Sequence, residues 1–432
     1  MEREPKFALL ICASLAIIGC GENDTRLGAG AGTPALKPLD TMPRYAVVSS
    51  DFSSSSIATL DENFVLIDES WLNSGTTYPG LVATLSGDLV LPNQQARDGT
   101  FAVIDRFSTD VISRFFIPSG NLNGQVRTHG DVGDTGFSSN PQDFIFVDPH
   151  SAWIPRYESN LNPSAPAEDH GNDLIEVNPT DMTATGARID LSFLDTTAEV
   201  VTDDGPVEVE VFARPSRGVL VRSTMVVGLD RISPGFDASG PGMVAVIDLG
   251  EEEVEGLELK GLRSCGHTVP VPGEPTKVVV ACVGFAQPFG DEPQVRASSG
   301  IALLDVGDGG VAIEQIWRVA DHPQSAIAVN SVVAVGAGRV VGVANGDFAT
   351  TVDGLYATDL VTGAQELVHE STGSFVIGLS AYDPDSEMLY VPDSEENAVM
   401  EFAADEAGFT EVGSIEIAPG LGLPPTKVYL LD

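Results

Sequence analysis

Positive charge is what this sequence has least of. Lys and Arg number 22 against 63 Asp and Glu, a formal charge of −41 over 432 residues. A surface that acidic repels phosphate backbones and anionic lipid headgroups, which excludes nucleic acid as a partner. The charge is spread along the chain, as on a solvated surface; cation binding is the competing reading. Histidine is scarce as well: His129, His150, His170, His267, His322 and His369 show no HxH or HxxxH spacing, so no metal-ligand pattern is signalled. His150 and His170 bracket one predicted strand and its insert and are the one pair placed to approach each other. There is no GxSxG elbow, no HExxH, no P-loop and no GxGxxG opening a helix, and the reactions those motifs serve lose their usual sign. No cofactor is expected. Amphipathic helical periodicity is missing from the body of the chain. What is abundant is punctuation, with 45 Gly and 28 Pro separating short β-rich runs, and 43% hydrophobic residues suffice for a core.

The one long apolar run, Phe7 to Ile18, is too short to span a bilayer and has the length of an export signal. It ends Ile17-Ile18-Gly19-Cys20, which resembles the lipobox of bacterial lipoproteins. The resemblance implies cleavage before Cys20, a lipid on its thiol and a membrane anchor in the cell envelope. By resemblance to the sorting rules of such lipoproteins, Gly21 rather than Asp after Cys20 implies the outer membrane. Glu2 and Glu4, beside Arg3 and Lys6, depart from the basic start expected of such signals. Residues 1–19 thus read as signal peptide and 20–43 as a Gly/Ala/Pro-rich tether. Residues 44–432 read as the folded domain. With Cys12 in the signal and Cys20 lipidated, Cys265 and Cys282 remain, an even pair in an exported chain. They lie on consecutive predicted strands, so a cross-strand disulfide is expected, worth roughly 3 kcal/mol. Two buried free thiols are the competing reading.

From Tyr45 onward the chain repeats a plan of four short strands about seven times. Third strands include Ser56–Asp61, Phe101–Asp105, Leu174–Asn178, Met243–Asp248, Ile301–Asp305, Leu355–Asp359 and Val399–Phe402. Most end in Asp or Asn, which can turn the chain by bonding the backbone locally. Seven four-stranded sheets at this spacing predict an all-β, seven-bladed β-propeller. The first repeat lacks a first strand and the C-terminus carries a spare one, Thr426–Leu431. Pairing the two would close the ring and remove both open edges. Trp153 and Trp317 are expected to pack between blades.

The stretch Leu389-Tyr390-Val391-Pro392-Asp393 followed by Asn397–Phe402 resembles the YVTN-type repeat of lactonase-like surface propellers. Ala152-Trp153-Ile154 with Leu174–Asn178 is a looser copy. The whole chain also resembles propeller lipoproteins of myxobacterial type, a likeness that implies no activity. These resemblances imply the fold more firmly than a function.

In such a ring the segments between second and third strands share one face. They are predicted at 49–55, 92–98, 156–172, 229–242, 284–300, 345–354 and 392–397. Three consecutive blades carry long ones, which place Arg156, His170, Arg231, Asp237, Asp291 and Arg296 on the expected ligand face. The leading expectation is a non-enzymatic, lipid-anchored propeller that binds a protein, peptide or glycan. The alternative is a lactonase-like hydrolase with a carboxylate-held metal in the central funnel. Asp383-Pro384-Asp385-Ser386-Glu387 has carboxylates at calcium-like spacing but reads as a β-turn, and Glu251–Glu253 as a solvated turn.

Overall fold

A computed structural model describes residues 37–431 except 76–84, 96–97, 107–108, 130–136, 203, 288–291, 337, 348 and 406. Seven four-stranded antiparallel sheets follow one another along the chain as the blades of a propeller. Blade 1 pairs Pro425–Leu430, Tyr45–Ser50, Ser55–Leu60 and Leu66–Asn73, in that order outward. Blade 2 is Leu89–Val90, Thr100–Asp105, Val111–Phe116 and Leu122–Arg127; blade 3 is Ile145–Asp148, Ser151–Ser159, Gly171–Asn178 and Thr183–Asp190. Blade 4 is Pro215–Val221, Thr224–Leu229, Met243–Asp248 and Glu253–Glu258, and blade 5 is His267–Val271, Glu274–Cys282, Gly300–Gly307 and Gly310–Arg318. Blade 6 is Asn330–Ala334, Arg339–Ala344, Gly354–Asp359 and Gln365–Glu370; blade 7 is Ala381–Asp383, Met388–Asp393, Ala398–Asp405 and Gly408–Glu416.

The core lies between blades rather than within them. Tyr45–Ser50 and Ser55–Leu60 are buried along their whole length, which explains why inner strands read as continuous apolar runs. Seven hydrophobic clusters each join two neighbouring blades. Trp153 fills the seam between blades 3 and 4 and Trp317 that between blades 5 and 6.

Ring closure is as expected. Pro425–Leu430 runs antiparallel to Tyr45–Ser50, with Tyr45 opposite Leu430 and Val48 opposite Lys427. The seam between blades 7 and 1 is fastened a second time by side chains. The Tyr45 hydroxyl donates to Asp383 at 2.5 Å, and Arg44 reaches Asp383 at 2.8 Å and Asp385 at 2.7 Å. The ring of Phe64 stacks on Tyr390 at 3.9 Å. The 383–387 stretch is therefore a closing turn. Upstream of the first strand, Leu39 N–H donates to Pro118 O and the Trp71 indole to Lys37 O.

Blade 2 departs from the predicted strand order. Leu89–Val90 is its first strand, Thr100–Asp105 its second and Val111–Phe116 its third, each one place earlier than the sequence pattern suggests. The misleading sign was Asp105, which ends its strand as the third-strand aspartates do. In blades 1, 3, 4 and 6 that residue accepts from backbone N–H groups in the turn that follows, as Asp61, Asn178, Asp248 and Asp359 do. Asp105 instead binds Ser86 in the connection from blade 1. Segment 92–98 consequently leaves the first strand of blade 2, not the second.

Candidate functional site

Antiparallel blades send two kinds of connection to each rim. Links from second to third strands, and from one blade to the next, share one rim, which we call the loop rim. Links from first to second and third to fourth strands share the other. The loop rim carries residues 160–170, 230–242, 283–287 and 292–299, and a two-stranded ribbon, Thr196–Thr202 with Gly205–Val211, between blades 3 and 4.

Between the 160–170 segment and that ribbon is a cavity of about 300 Å³, lined by His170, Arg188, Asp190, Asp195, Glu210 and Phe212 among others. His170 is exposed, with its ring nitrogen 3.2 Å from Ala165 O. Burial pushes Asp195 up to about 6, although Asn172 and the Ala213 N–H both donate to it. Ser159 Oγ and Asn160 Nδ2, both of residues lining the cavity, are buried without a hydrogen-bond partner among the described residues. Unspent polar atoms of this kind are rare in folded interiors and call for an explanation.

Of the other residues predicted on this face, Asp237 is exposed and accepts from Ser233 Oγ at 2.6 Å. Arg296 sits on the short helix Glu292–Ser298 and donates to His322 O, and Asp291 lies outside the described residues. Arg156 and Arg231 are buried, at 1% and 4% exposure. The Arg156 guanidinium grips Asp173 through two 2.7 Å bonds, and Arg231 donates to Leu194 O and Pro241 O. His150 and His170 do not meet. His150 occupies the turn before Ser151–Ser159 and His170 follows the segment after it, so the length of that strand, about 30 Å, divides them.

Three aromatic residues on the loop rim had no sign in the strand pattern. Phe52, Phe236 and Phe375 are 86%, 57% and 55% exposed. Each has a left-handed backbone, with φ of 65°, 57° and 61°, a conformation a bulky side chain rarely adopts. The available sign was a lone Phe within Ser-, Gly- and Asp-rich stretches such as Gly235-Phe236-Asp237. Phe236 also lies beneath the Arg214 guanidinium, 4.5 Å from the ring centre.

The funnel at the axis opens on the same rim, and the chain itself crosses it. After Val90 the first strand of blade 2 leaves its ladder. Asn93 N–H donates to Asp143 of blade 3 at 2.9 Å, and its side chain donates to Gly218 O of blade 4 and Thr268 O of blade 5. The Gln95 side chain then takes over the lost backbone pairing, donating to Ala102 O and accepting from Ala102 N–H. Around this bridge stand Arg106, Arg217, Lys427 and His267 with Asp88, Asp143 and Asp230. Burial, then Arg217 and Arg106, hold the His267 imidazole below its ordinary range against the pull of Asp230. No group of three or more His, Cys, Asp or Glu among the described residues is placed to hold a metal ion. Cys265 and Cys282 form a disulfide within blade 5, both fully buried, with Cα atoms 4.0 Å apart.

No protein-family model and no curated protein matches the chain. Solved structures share its fold. A periplasmic gluconolactonase from Pseudomonas aeruginosa superposes with a TM-score of 0.53 at 11% identity, covering 91% of this chain and 99% of its own. A Bacteroides fragilis protein proposed to be a 6-phosphogluconolactonase gives 0.52 at 11% identity over 91% and 99%. A Lactobacillus plantarum protein gives 0.52 at 13% identity over 91% and 100%. At such identities the likeness extends to the seven-bladed architecture and no further.

Proposed function

We propose that this chain is an exported, lipid-anchored binding module of the cell envelope, at the outer membrane, whose loop rim takes a protein, peptide or glycan. The observation that carries the reading is the cavity beside His170. It combines a half-buried ring, Phe212, with acidic, basic and amide groups, and two residues lining it have buried atoms whose hydrogen-bonding capacity is unspent. A few polar groups set in an otherwise shaped concavity are what a specific ligand site requires. The exposed Phe52, Phe236 and Phe375 add apolar contact area on the same rim. The disulfide fits an oxidising compartment, and Cys20, which lies outside the described residues, supplies the anchor.

Two experiments test this reading. Cys20→Ala is expected to move the protein from the membrane fraction to the soluble one; retention in the membrane overturns the anchor. Affinity capture from envelope extracts is expected to recover a partner with the intact protein and to lose it when residues 161–168 are replaced by a short Gly-Ser link. Undiminished capture overturns the loop rim as the binding face.

A further inference from the structure

Three cationic side chains of this acid-rich chain converge on the stretch 88–91 at the start of blade 2. Arg106 pairs with Asp88 at 2.6 Å. Lys427, from the closing strand of blade 1, donates to Leu89 O at 3.0 Å. Arg217, from the first strand of blade 4, donates to Leu91 O at 2.7 Å. Their surroundings differ in one respect. Arg106 has a carboxylate in contact, whereas Lys427 has none among the described residues, only a backbone carbonyl. The Arg217 guanidinium lies 3.8 Å from Asp143, but the Asp143 oxygens already accept from Asn93, Gly218 and Phe144 N–H groups. Nε and Nη2 of Arg217 have no hydrogen-bond partner among the described residues. Arg106 and Arg217 keep 26% and 13% of their side-chain surface exposed, so solvent reaches the funnel.

An ammonium group in this setting lacks what stabilises its charge. Burial, and next the charge of Arg106, press the Lys427 amine down to about 7, with Asp88 opposing and Arg217 adding to the effect. Lys277 on blade 5 shows the opposite arrangement. It lies 2.8 Å from Glu314 and 3.4 Å from Asp305, and the bond to Glu314 raises its pKa. A desolvated lysine beside other cations is the usual way a protein obtains a neutral, nucleophilic amine near neutral pH.

We propose that Lys427 captures a small carbonyl compound bearing a carboxylate, a 2-oxo acid or an aldehyde acid, as a reversible imine, with Arg217 holding the carboxylate. The amine nitrogen adds to the carbonyl carbon, and its proton passes to the carbonyl oxygen. Loss of water then leaves the C=N bond, and hydrolysis reverses the step. No redox change occurs and water is the only other participant. The funnel is separate from the cavity at His170, and either site stands without the other.

The chain has five lysines, Lys6, Lys37, Lys260, Lys277 and Lys427, so each serves as a reference for the rest. The intact protein is treated with pyruvate and cyanoborohydride near neutral pH, and reduced adducts are mapped by mass spectrometry. Lys427 is expected to label about 10-fold or more faster than Lys260 or Lys277, because about half of its amine is already neutral there. Its labelling should level off above about pH 7, while that of Lys277, whose pKa the bond to Glu314 raises, keeps rising beyond that point. Acetone in place of pyruvate should label Lys427 more slowly, and Arg217→Gln should erase that preference. Lys427→Arg should abolish the adduct with the melting temperature kept. Labelling of Lys427 no faster than Lys260, or without its own pH plateau, overturns the nucleophilic amine. Equal labelling by pyruvate and acetone in the unmutated protein overturns the role given to Arg217.

Discussion

The two rims of the propeller are built from the same strands and differ in what connects them. On the turn rim, third and fourth strands are joined by as little as Asp308 and Gly309 in blade 5. Many of these turns are fixed locally, by a strand-ending aspartate bonded two residues on or by a left-handed residue such as Arg222 or Gly273. The loop rim carries the inserts of blades 3 to 5, the ribbon, the exposed phenylalanines and the funnel mouth. Apart from the link between the first and second strands of blade 2, chain length beyond what closes a hairpin has accumulated on the loop rim. Since lengthening a surface loop costs little, length alone would not mark function; the proposed binding face rests instead on the unpaired buried atoms beside His170 and on the exposed, left-handed Phe52, Phe236 and Phe375.

The strongest way to break this comparison is to open the ring on which both rims stand. Deleting residues 424–432 removes Val428, Tyr429 and Leu431 from the seams, each worth about 1.5–3 kcal/mol when buried, and exposes the inner edge of Tyr45–Ser50. The expected outcome is loss of a cooperative thermal transition by circular dichroism. A smaller effect follows from the staple in blade 5, just before the 283–299 insert. Cys265→Ser with Cys282→Ser should lower stability by roughly 3 kcal/mol in denaturant titrations, and reducing agent should do the same to the unmutated protein.

On the turn rim, Asp383→Ala leaves Arg44 and the Tyr45 hydroxyl without their shared acceptor. A loss of about 2 kcal/mol is expected, as for other hydrogen bonds to a charged group. The pH effects of two loop-rim carboxylates come last, because they act only within a narrow window. Burial raises Asp105 and Asp195 to about 6 in the folded protein, above the ordinary value near 4. Between about pH 4 and 6 the folded state therefore holds more protons than the unfolded one, and these groups lose stability as pH rises through that window. Relative to the unmutated protein, Asp105→Asn and Asp195→Asn should gain melting temperature from about pH 4 to pH 6. A constant difference across that range would show that the carboxyls do not carry the shift.

Much of the architecture was legible because propeller blades bury strands on both faces, so apolar runs such as Met243–Ile247 or Leu389–Val391 stand out. The closing strand was legible as an imbalance between the two ends of the folded domain. Blade 2 was not, because a first strand of two paired residues leaves almost no apolar run, and Asp105 imitates the end of a third strand. The site was legible only as a rim. His170 reached the cavity, but Arg156, which belongs to the strand Ser151–Ser159, and Arg231, at the start of the 230–242 insert, turn inward to carboxylate or carbonyl partners, a choice that depends on tertiary contacts. The funnel was hidden for the same reason. Lys427, Arg217 and Arg106 are hundreds of residues apart in part, and only ring closure sets them on one segment.

The account rests most directly on the two rims being unequal in use. Capture from envelope extracts can be compared between two variants, one with residues 161–168 replaced on the loop rim and one with Glu251–Glu253 replaced by serines on the turn rim. Both changed segments are solvent-facing for most of their length, so both proteins should melt as the unmutated one does. The account predicts that the first loses its partner and the second keeps it. Loss with the second and retention with the first would contradict it.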